Sequence, residues 1–142
     1  MKWHHRFMDR AHLIASWSKD SRQVGAVIVR GKNRFVSEGY NGPPAGVEDD
    51  PNIDRATKLR RTIHAEMNAI LFAQQDVSGC TIYVTHHPCG PCAAVIAQSG
   101  IKRVVIPDGE SKLSHRWAAD IIEADWIFNQ VGIEVFTIKE EK

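Results

Sequence analysis

Two short stretches constrain this chain more than anything else in it. His64-Ala65-Glu66 is followed by Pro88-Cys89-Gly90-Pro91-Cys92. His64, Cys89 and Cys92 offer one imidazole and two thiolates, a set of three zinc ligands. Structural zinc sites usually close with four protein ligands, while catalytic sites keep one position for water. Glu66 lies two residues past the histidine, where it could reach that water. The spacing also constrains the fold. Cys89 and Cys92 are three apart, so at a helix start both sulfurs lie on one side. His64 and Glu66 are two apart and would point nearly opposite ways in mid-helix. They converge only at a helix start, where first-turn side chains and free N–H groups face the end of the cylinder. Two helix N-termini are therefore expected to meet at the metal, each directing a positive dipole end there. Thiolates are stabilised by that field, and so is negative charge developing on a substrate.

The charge count gives Glu66 a purpose. Two thiolates formally cancel Zn²⁺, so the metal acidifies water less than one held by three neutral histidines. A carboxylate that takes the water proton compensates. It can then pass protons to a ring nitrogen and to a leaving amine. Hydrolytic deamination of an amino-substituted nitrogen heterocycle uses all of these parts. The competing possibility is a structural zinc knuckle closed by His86 or His87, and such a site has no use for Glu66. His86 and His87 are expected in a loop or pocket wall.

A chain of 142 residues supports one domain with a real core, here residues 1–142. Its 43% apolar and 25% charged content is ordinary for a globular protein. No stretch approaches the length of a membrane span, and Met1 to Arg6 does not read as a signal peptide, so the cytoplasm is the default compartment. Of three cysteines, two have metal spacing. Cys80 opens an apolar run and reads as a small buried hydrophobe. A net charge of +1 gives no broad nucleic-acid footprint. One cationic cluster, Arg55, Lys58, Arg60 and Arg61, is either a solvated segment or an anion site running into the metal motif. His4, His5 and His12 have no ligand partner at metal spacing and suit a surface or an interface.

Apolar residues Phe7, Ala11, Ile14 and Ala15 recur near helical spacing, which predicts a helix over residues 3–18. Strands are predicted at 24–29 and 34–40, paired antiparallel across the Gly31-Lys32-Asn33 turn. Residues 39–54 hold Pro43, Pro44 and Pro51 and read as loop. A helix beginning at Thr62 or His64 reaches Ala73. A strand at 80–85 follows, then a helix near 90–98 with Pro91 in its first turn. A strand at 102–106, a long helix at 115–130 and a strand at 133–138 complete the order. The later strands alternate with helices, so a five-stranded mixed sheet in a three-layer α/β/α arrangement is expected.

The sequences His64-Ala65-Glu66-Met67-Asn68-Ala69-Ile70 and Pro88-Cys89-Gly90-Pro91-Cys92-Ala93 resemble the cytidine/deoxycytidylate deaminase superfamily, whose signature is His-x-Glu with Pro-Cys-x-x-Cys. Ser18-Lys19-Asp20, the run Val24 to Val29 and Gly39-Tyr40-Asn41-Gly42-Pro43-Pro44-Ala45-Gly46-Val47 look like the deoxycytidylate (dCMP) deaminase family, including its compact phage members. The likeness runs from the first helix to about Ile106. It implies a cytidine deaminase-like fold and conversion of dCMP to dUMP. It implies one Zn²⁺ per chain on His64, Cys89 and Cys92, with Glu66 carrying protons. It implies that the Ala65 N–H meets the pyrimidine carbonyl and that the carbonyl of Pro88 accepts from the exocyclic amine. Asn41 would hold the sugar, and Lys19, Ser21 and Arg22 would approach the phosphate. The alternative for Asn41 is a turn residue, and for Lys19 and Arg22 a solvated loop.

The resemblance also implies a homo-oligomer, hexamer or dimer, and dCTP and dTTP as effectors. Trp3, Phe7, Leu13, Ile14 and Trp17, with Trp117, Ile121, Ile122, Trp126, Ile127 and Val131, carry more apolar surface than one chain's core needs. The region 111–125 is idiosyncratic and is expected to form a subunit interface or a substrate lid. The stretch 48–63 holds no Cys or His for a second metal. Other substrates fit the same chemistry: a modified cytosine nucleotide, another nucleoside, a free base, or tRNA adenosine. The Gly-Tyr-Asn-Gly-Pro-Pro loop and the near-neutral charge weigh against tRNA. A non-catalytic zinc module that binds nucleic acid is opposed by Glu66 and by the lack of a wide basic face.

Overall fold

A computed structural model of the protein describes residues 2–109 and 115–140, and of residues 115–117 the backbone. Helix α1 (Lys2–Ala15) is followed by strands β1 (Gly25–Arg30) and β2 (Arg34–Tyr40). Helices α2 (Arg55–Arg61) and α3 (Ala65–Ala73) precede strand β3 (Thr81–Val84). Helix α4 (Gly90–Gln98), strand β4 (Arg103–Pro107), helix α5 (His115–Val131) and strand β5 (Glu134–Ile138) complete the chain. The sheet order is β2-β1-β3-β4-β5. β1 runs antiparallel to both β2 and β3, while β3, β4 and β5 are parallel. The mixed five-stranded sheet is the expected one.

The strands divide their side chains between two cores. Ala26, Ile28, Ile82, Val84, Val104 and Ile106 face one cluster, which also holds Ala65 and Ala69 of α3, Ile96 of α4 and Phe128 of α5. Val27, Val29, Tyr83 and Val105 face the other, with Phe7, Met8 and Ala11 of α1. The period of two in the strands thus builds three layers: α1, the sheet, and the layer of α3, α4 and α5. Burial of this apolar surface is the main stabilising term.

Helix packing is closest at two glycines. A Cβ on Gly25 would run into the Ala11 carbonyl of α1 and lie 2.8 Å from Ala15 N. A Cβ on Gly39 would lie 2.6 Å from Ala69 N of α3. The hairpin turn uses Gly31 at φ 64°, a left-handed conformation that suits glycine.

Two expectations need correction. Helix α1 ends at Ala15, and only 16–17 continue as a turn, with Ser16 Oγ donating to the Leu13 carbonyl. Between the long loop and the metal motif stands a helix, α2, that the sequence reading did not anticipate. Asp54 caps it, accepting from Thr57 N at 3.0 Å and from Thr57 Oγ1 at 2.8 Å. Local capping makes this helix, and none of its residues is buried. No helix among the described residues is long and apolar enough to cross a membrane. Of the region 111–125, residues 111–114 and the side chain of Trp117 lie outside what is described.

Candidate active site

The two helix N-termini meet as the spacing requires. His64 is the N-cap of α3, with φ −68° and ψ 154°, and its side chain makes no capping bond. Cys89 is the N-cap of α4, again without a side-chain cap, and Pro91 stands in that helix's first turn. Two residues of cap-forming geometry thus leave their side chains free for another use. The use is mutual: His64 Nδ1 lies 3.1 Å from Cys92 Sγ and 3.5 Å from Cys89 Sγ. The donor atoms of all three residues lie within 4.8 Å of one another. Ordinary zinc–sulfur and zinc–nitrogen bonds in a tetrahedron set ligands about 3.5 Å apart. The donor set therefore fits zinc, and three protein donors leave a fourth position for water or substrate.

Electrostatics at the cluster make Cys89 a thiolate and keep Cys92 a thiol that donates to it. A hydrogen bond from the Cys92 thiol, aided by the His64 imidazole, holds Cys89 far below the usual thiol range. Pairing with that Cys89 sulfur, together with burial, pushes Cys92 up. A bound cation reverses the second effect, because metal binding expels the thiol proton. His64 is raised, first by its hydrogen bond to Cys89, against the opposing pull of burial. Glu66 stands in the first turn of α3 and is 4% exposed. Burial pushes its carboxyl up, which suits a group that must take and return protons.

A cavity of about 270 Å³ opens over this cluster. Its wall includes His64, Ala65, Glu66, Pro88 and Cys89 from the two motifs. Ala65 occupies the first position of α3, where a backbone N–H has no helical carbonyl to bond. Pro88 is buried. Asn41 and Arg22 also line the cavity. Asn41 is 7% exposed and pinned at both ends of its amide: Oδ1 accepts from Val24 N at 2.9 Å, and Nδ2 donates to the Arg22 carbonyl at 2.8 Å. It therefore ties the loop before β1 to the end of β2, and its amide retains one further N–H.

The other two phosphate candidates stand apart from that wall. Lys19 borders a neighbouring depression formed with Tyr40 to Val47. Ser21 Oγ is 3.5 Å from both Asp20 Oδ1 and Arg55 Nη1. His86 and His87 line the cavity, and neither belongs to the ligand cluster. Burial lowers His86 to about 4, with Arg22 and His12 adding to the effect.

The cavity also takes in Arg55 of the cationic cluster and residues of the 111–125 region. Arg55 Nη1 donates to the buried Asp20 Oδ1 at 2.9 Å, joining α2 to the loop before β1. Asp20 also accepts from Arg22 N at 2.9 Å. These bonds and the Arg55 charge outweigh burial, which acts first and upward, and leave the Asp20 carboxyl below its usual range. Leu59 and Thr62 come from or just after α2, and Asp120 and Ile121 come from α5. Of the cationic cluster, Arg55 thus reaches the site, while Arg60 and Arg61 are exposed. Cys80 is fully buried, as expected.

Known proteins share this arrangement. Residues 1–107 match the family described as the cytidine and deoxycytidylate deaminase zinc-binding region. A protein of Aliivibrio fischeri, described as an uncharacterized deaminase in the luxG 3' region, is 50% identical over 136 residues, covering 94% of this chain and 92% of that protein. Human deoxycytidylate deaminase is 39% identical over 142 residues, covering 94% of this chain and 78% of that one. The dCMP deaminase of cyanophage S-TIM5, solved in complex with dCMP and dUMP, superposes with a TM-score of 0.76 at 26% identity, over 94% of each chain. The matched region spans both ligand stretches, and the sheet, the helix layer and the zinc-ligand cluster all agree with it. The chain belongs to the cytidine and deoxycytidylate deaminase family of zinc-dependent enzymes.

Proposed function

We propose that the chain hydrolyses dCMP to dUMP and ammonia as a single catalytic domain. One observation carries the reading: a buried carboxyl, Glu66, stands beside three zinc donors in the wall of a cavity that also bears Arg22 and Asn41. The names and ligands of the human and cyanophage relatives support dCMP as the substrate. His64, Cys89 and Cys92 would hold a zinc ion, which when bound would supply Lewis-acid activation of a water. Glu66 takes a proton from that water as its oxygen bonds to C4 of the pyrimidine. Glu66 returns the proton to ring N3. It then carries the remaining hydroxyl proton to the amino nitrogen, the C4–N bond breaks, and ammonia leaves. The Ala65 N–H donates to the C2 carbonyl oxygen and fixes the ring. The Pro88 carbonyl accepts from the amino group. Asn41 offers its remaining N–H to the sugar. Arg22 faces the phosphate, with Lys19 and Ser21 on the same loop.

The same reading includes a cytoplasmic homo-oligomer, hexamer or dimer, with dCTP and dTTP as effectors. Support for assembly comes from large apolar side chains left outside both cores. Leu13 lies on α1 and Trp17 just after it, Leu71 and Phe72 lie on α3, and Ile122 and Trp126 lie on α5, all at least 60% exposed. Patches of that kind rarely stay open on a monomer. Light scattering at micromolar concentration tests this, and a mass near one 15.9 kDa chain refutes it.

The substrate is tested by ammonia release from cytosine, cytidine, deoxycytidine, dCMP, dCTP and 5-methyl-dCMP. The expected result is a clear preference in kcat/KM for dCMP over deoxycytidine. Equal values for the two, or a preference for another member, overturn the assignment.

A further inference from the structure

His87 lines the cavity, and the proposed reaction gives it no task. Its side chain is only 3% exposed. Both ring nitrogens are engaged: Nδ1 lies 2.8 Å from the Pro88 carbonyl oxygen, and Nε2 lies 2.9 Å from Asp125 Oδ1. Both partners are acceptor oxygens, and the Pro88 contact is a hydrogen bond only with the ring proton on Nδ1. Asp125 belongs to α5 and lies 38 residues further along the chain. A continuous chain of polar contacts therefore runs from α5, through a buried imidazole, to the carbonyl immediately before the zinc ligand Cys89.

The Pro88 end of this chain is the sensitive one. Proline fixes its own φ, so the direction of the Pro88 carbonyl depends on ψ alone. The His87 bond restrains that single dihedral. It occupies one lone pair of the oxygen and leaves the other for a second donor. The Asp125 end determines how the ring presents itself. An imidazole without that partner can flip or change tautomer, and either change takes the proton away from Pro88. Asp125 holds the one arrangement that donates to the carbonyl. The side chain of Asp125 is 54% exposed, so the ion pair itself adds little to stability.

We infer that Asp125 is a positioning residue that acts through His87 to aim the Pro88 carbonyl at the departing amine. This rests on the proposed deamination, in which that carbonyl accepts from the 4-amino group. The amine is planar and weakly polarised in the bound substrate. It becomes tetrahedral and gains a proton as it leaves, and it is then the stronger donor. A misdirected carbonyl consequently costs more in the transition state than in the ground state, which lowers kcat and spares KM.

The test uses the full zinc-loaded chain with Asp125→Ala and Asp125→Asn. Each variant is assayed on dCMP and on the nucleotide bearing a 4-methoxy group, a leaving group with no N–H to donate. Asp125→Ala is expected to lower kcat on dCMP on the order of 10-fold, the cost of a modest misplacement, with KM within about twofold. Turnover of the 4-methoxy nucleotide should stay within about twofold of wild type, since the Pro88 carbonyl has no donor there. Asp125→Asn keeps a polar partner that can accept from or donate to Nε2 and should restore most of kcat. Zinc content and thermal midpoint are measured on each variant. An equal fall on both substrates, loss of zinc, or unchanged kcat in Asp125→Ala overturns the inference and leaves the contact as helix docking. A wild-type chain inactive on the whole substrate panel overturns the proposed function itself, and this inference with it.

Discussion

His64 Nδ1 and Cys92 Sγ stand 3.1 Å apart although 28 residues separate them in the chain. One belongs to the cap of α3 and the other to the first turn of α4, so the contact exists only while both helices dock on the sheet. The cluster and the core therefore support each other. Cys92 is fully buried, so water cannot take its place as a ligand. Cys92→Ser is expected to lower zinc affinity by more than about 100-fold, since even partners outside the ligand set are worth 10- to 100-fold. Metal analysis after dialysis against a weak chelator checks this. One zinc per chain in the wild type and a small fraction in the variant is the expected pair of results.

Glu66 supplies a different kind of test, because it is assigned protons and no metal bond. Glu66→Gln preserves size and hydrogen-bonding capacity but cannot carry a proton. Deaminase turnover should fall by about 10² to 10⁴-fold, the usual worth of a general acid–base group. Zinc content should stay at the wild-type level. The thermal midpoint at pH 7 should not fall, since burial already disfavours the charged carboxylate at this position. A variant that loses its zinc would falsify the assignment, because Glu66 would then be a ligand.

Backbone proximity between β2 and α3 gives a prediction about folding. An added Cβ at Gly39 would meet Ala69 N at 2.6 Å and the Ala65 carbonyl at 2.8 Å. Both neighbours are backbone, so no side chain can swing aside. Gly39→Ala should destabilise the chain by about 1 to 3 kcal/mol, the range for overpacking a close-fitted core. Urea denaturation checks this by a lower midpoint at unchanged slope. Displacing α3 also displaces His64 and Glu66, so activity should fall under conditions where the variant is still folded.

Different parts of the molecule were legible for different reasons. The ligand set and Glu66 could be read because local spacing alone forces His64 and Glu66 to a helix start and puts both sulfurs on one side. The strands could be read from β-branched runs between turn residues. Helix α2 could not: its one large apolar residue, Leu59, is 50% exposed, so no apolar stripe announces it. Its signal was Asp54 placed three residues before Thr57, a capping pair hidden among loop-forming residues. The Asp20–Arg55 bridge and the places of Asp120 and Ile121 in the cavity wall were only coarsely legible, through the cationic cluster and the 111–125 region. They join segments far apart in sequence, and no short-range spacing encodes such a meeting. Asn41 shows a middle case. The Asn-Gly pair marks a turn, yet the same amide stitches two loops and faces the cavity.

The last prediction concerns acid sensitivity and His86. Thr85 Oγ1 accepts from Gly25 N at 3.1 Å and lies 3.0 Å from His86 Nδ1. The hydroxyl proton is therefore free to go to Nδ1, and the ring keeps its own proton on Nε2 as a neutral imidazole. Burial, then Arg22 and His12, lower this histidine from 6.5 to about 4. The unfolded chain takes up the proton near pH 6.5, whereas the folded chain resists until about pH 4. The unfolded state thus binds more protons between these values, and stability falls as the pH drops through that window. His86→Gln removes this contribution and leaves the others in place. The ring is partly exposed, so the expected difference is discounted to about 1 to 2 kcal/mol. Urea midpoints of both chains at pH 7.5 and pH 4.5 measure it. Loss of zinc at low pH enters both chains alike and cancels in the comparison. The wild type should lose more stability than His86→Gln between the two pH values, and equal losses would show that His86 does not titrate as its surroundings require.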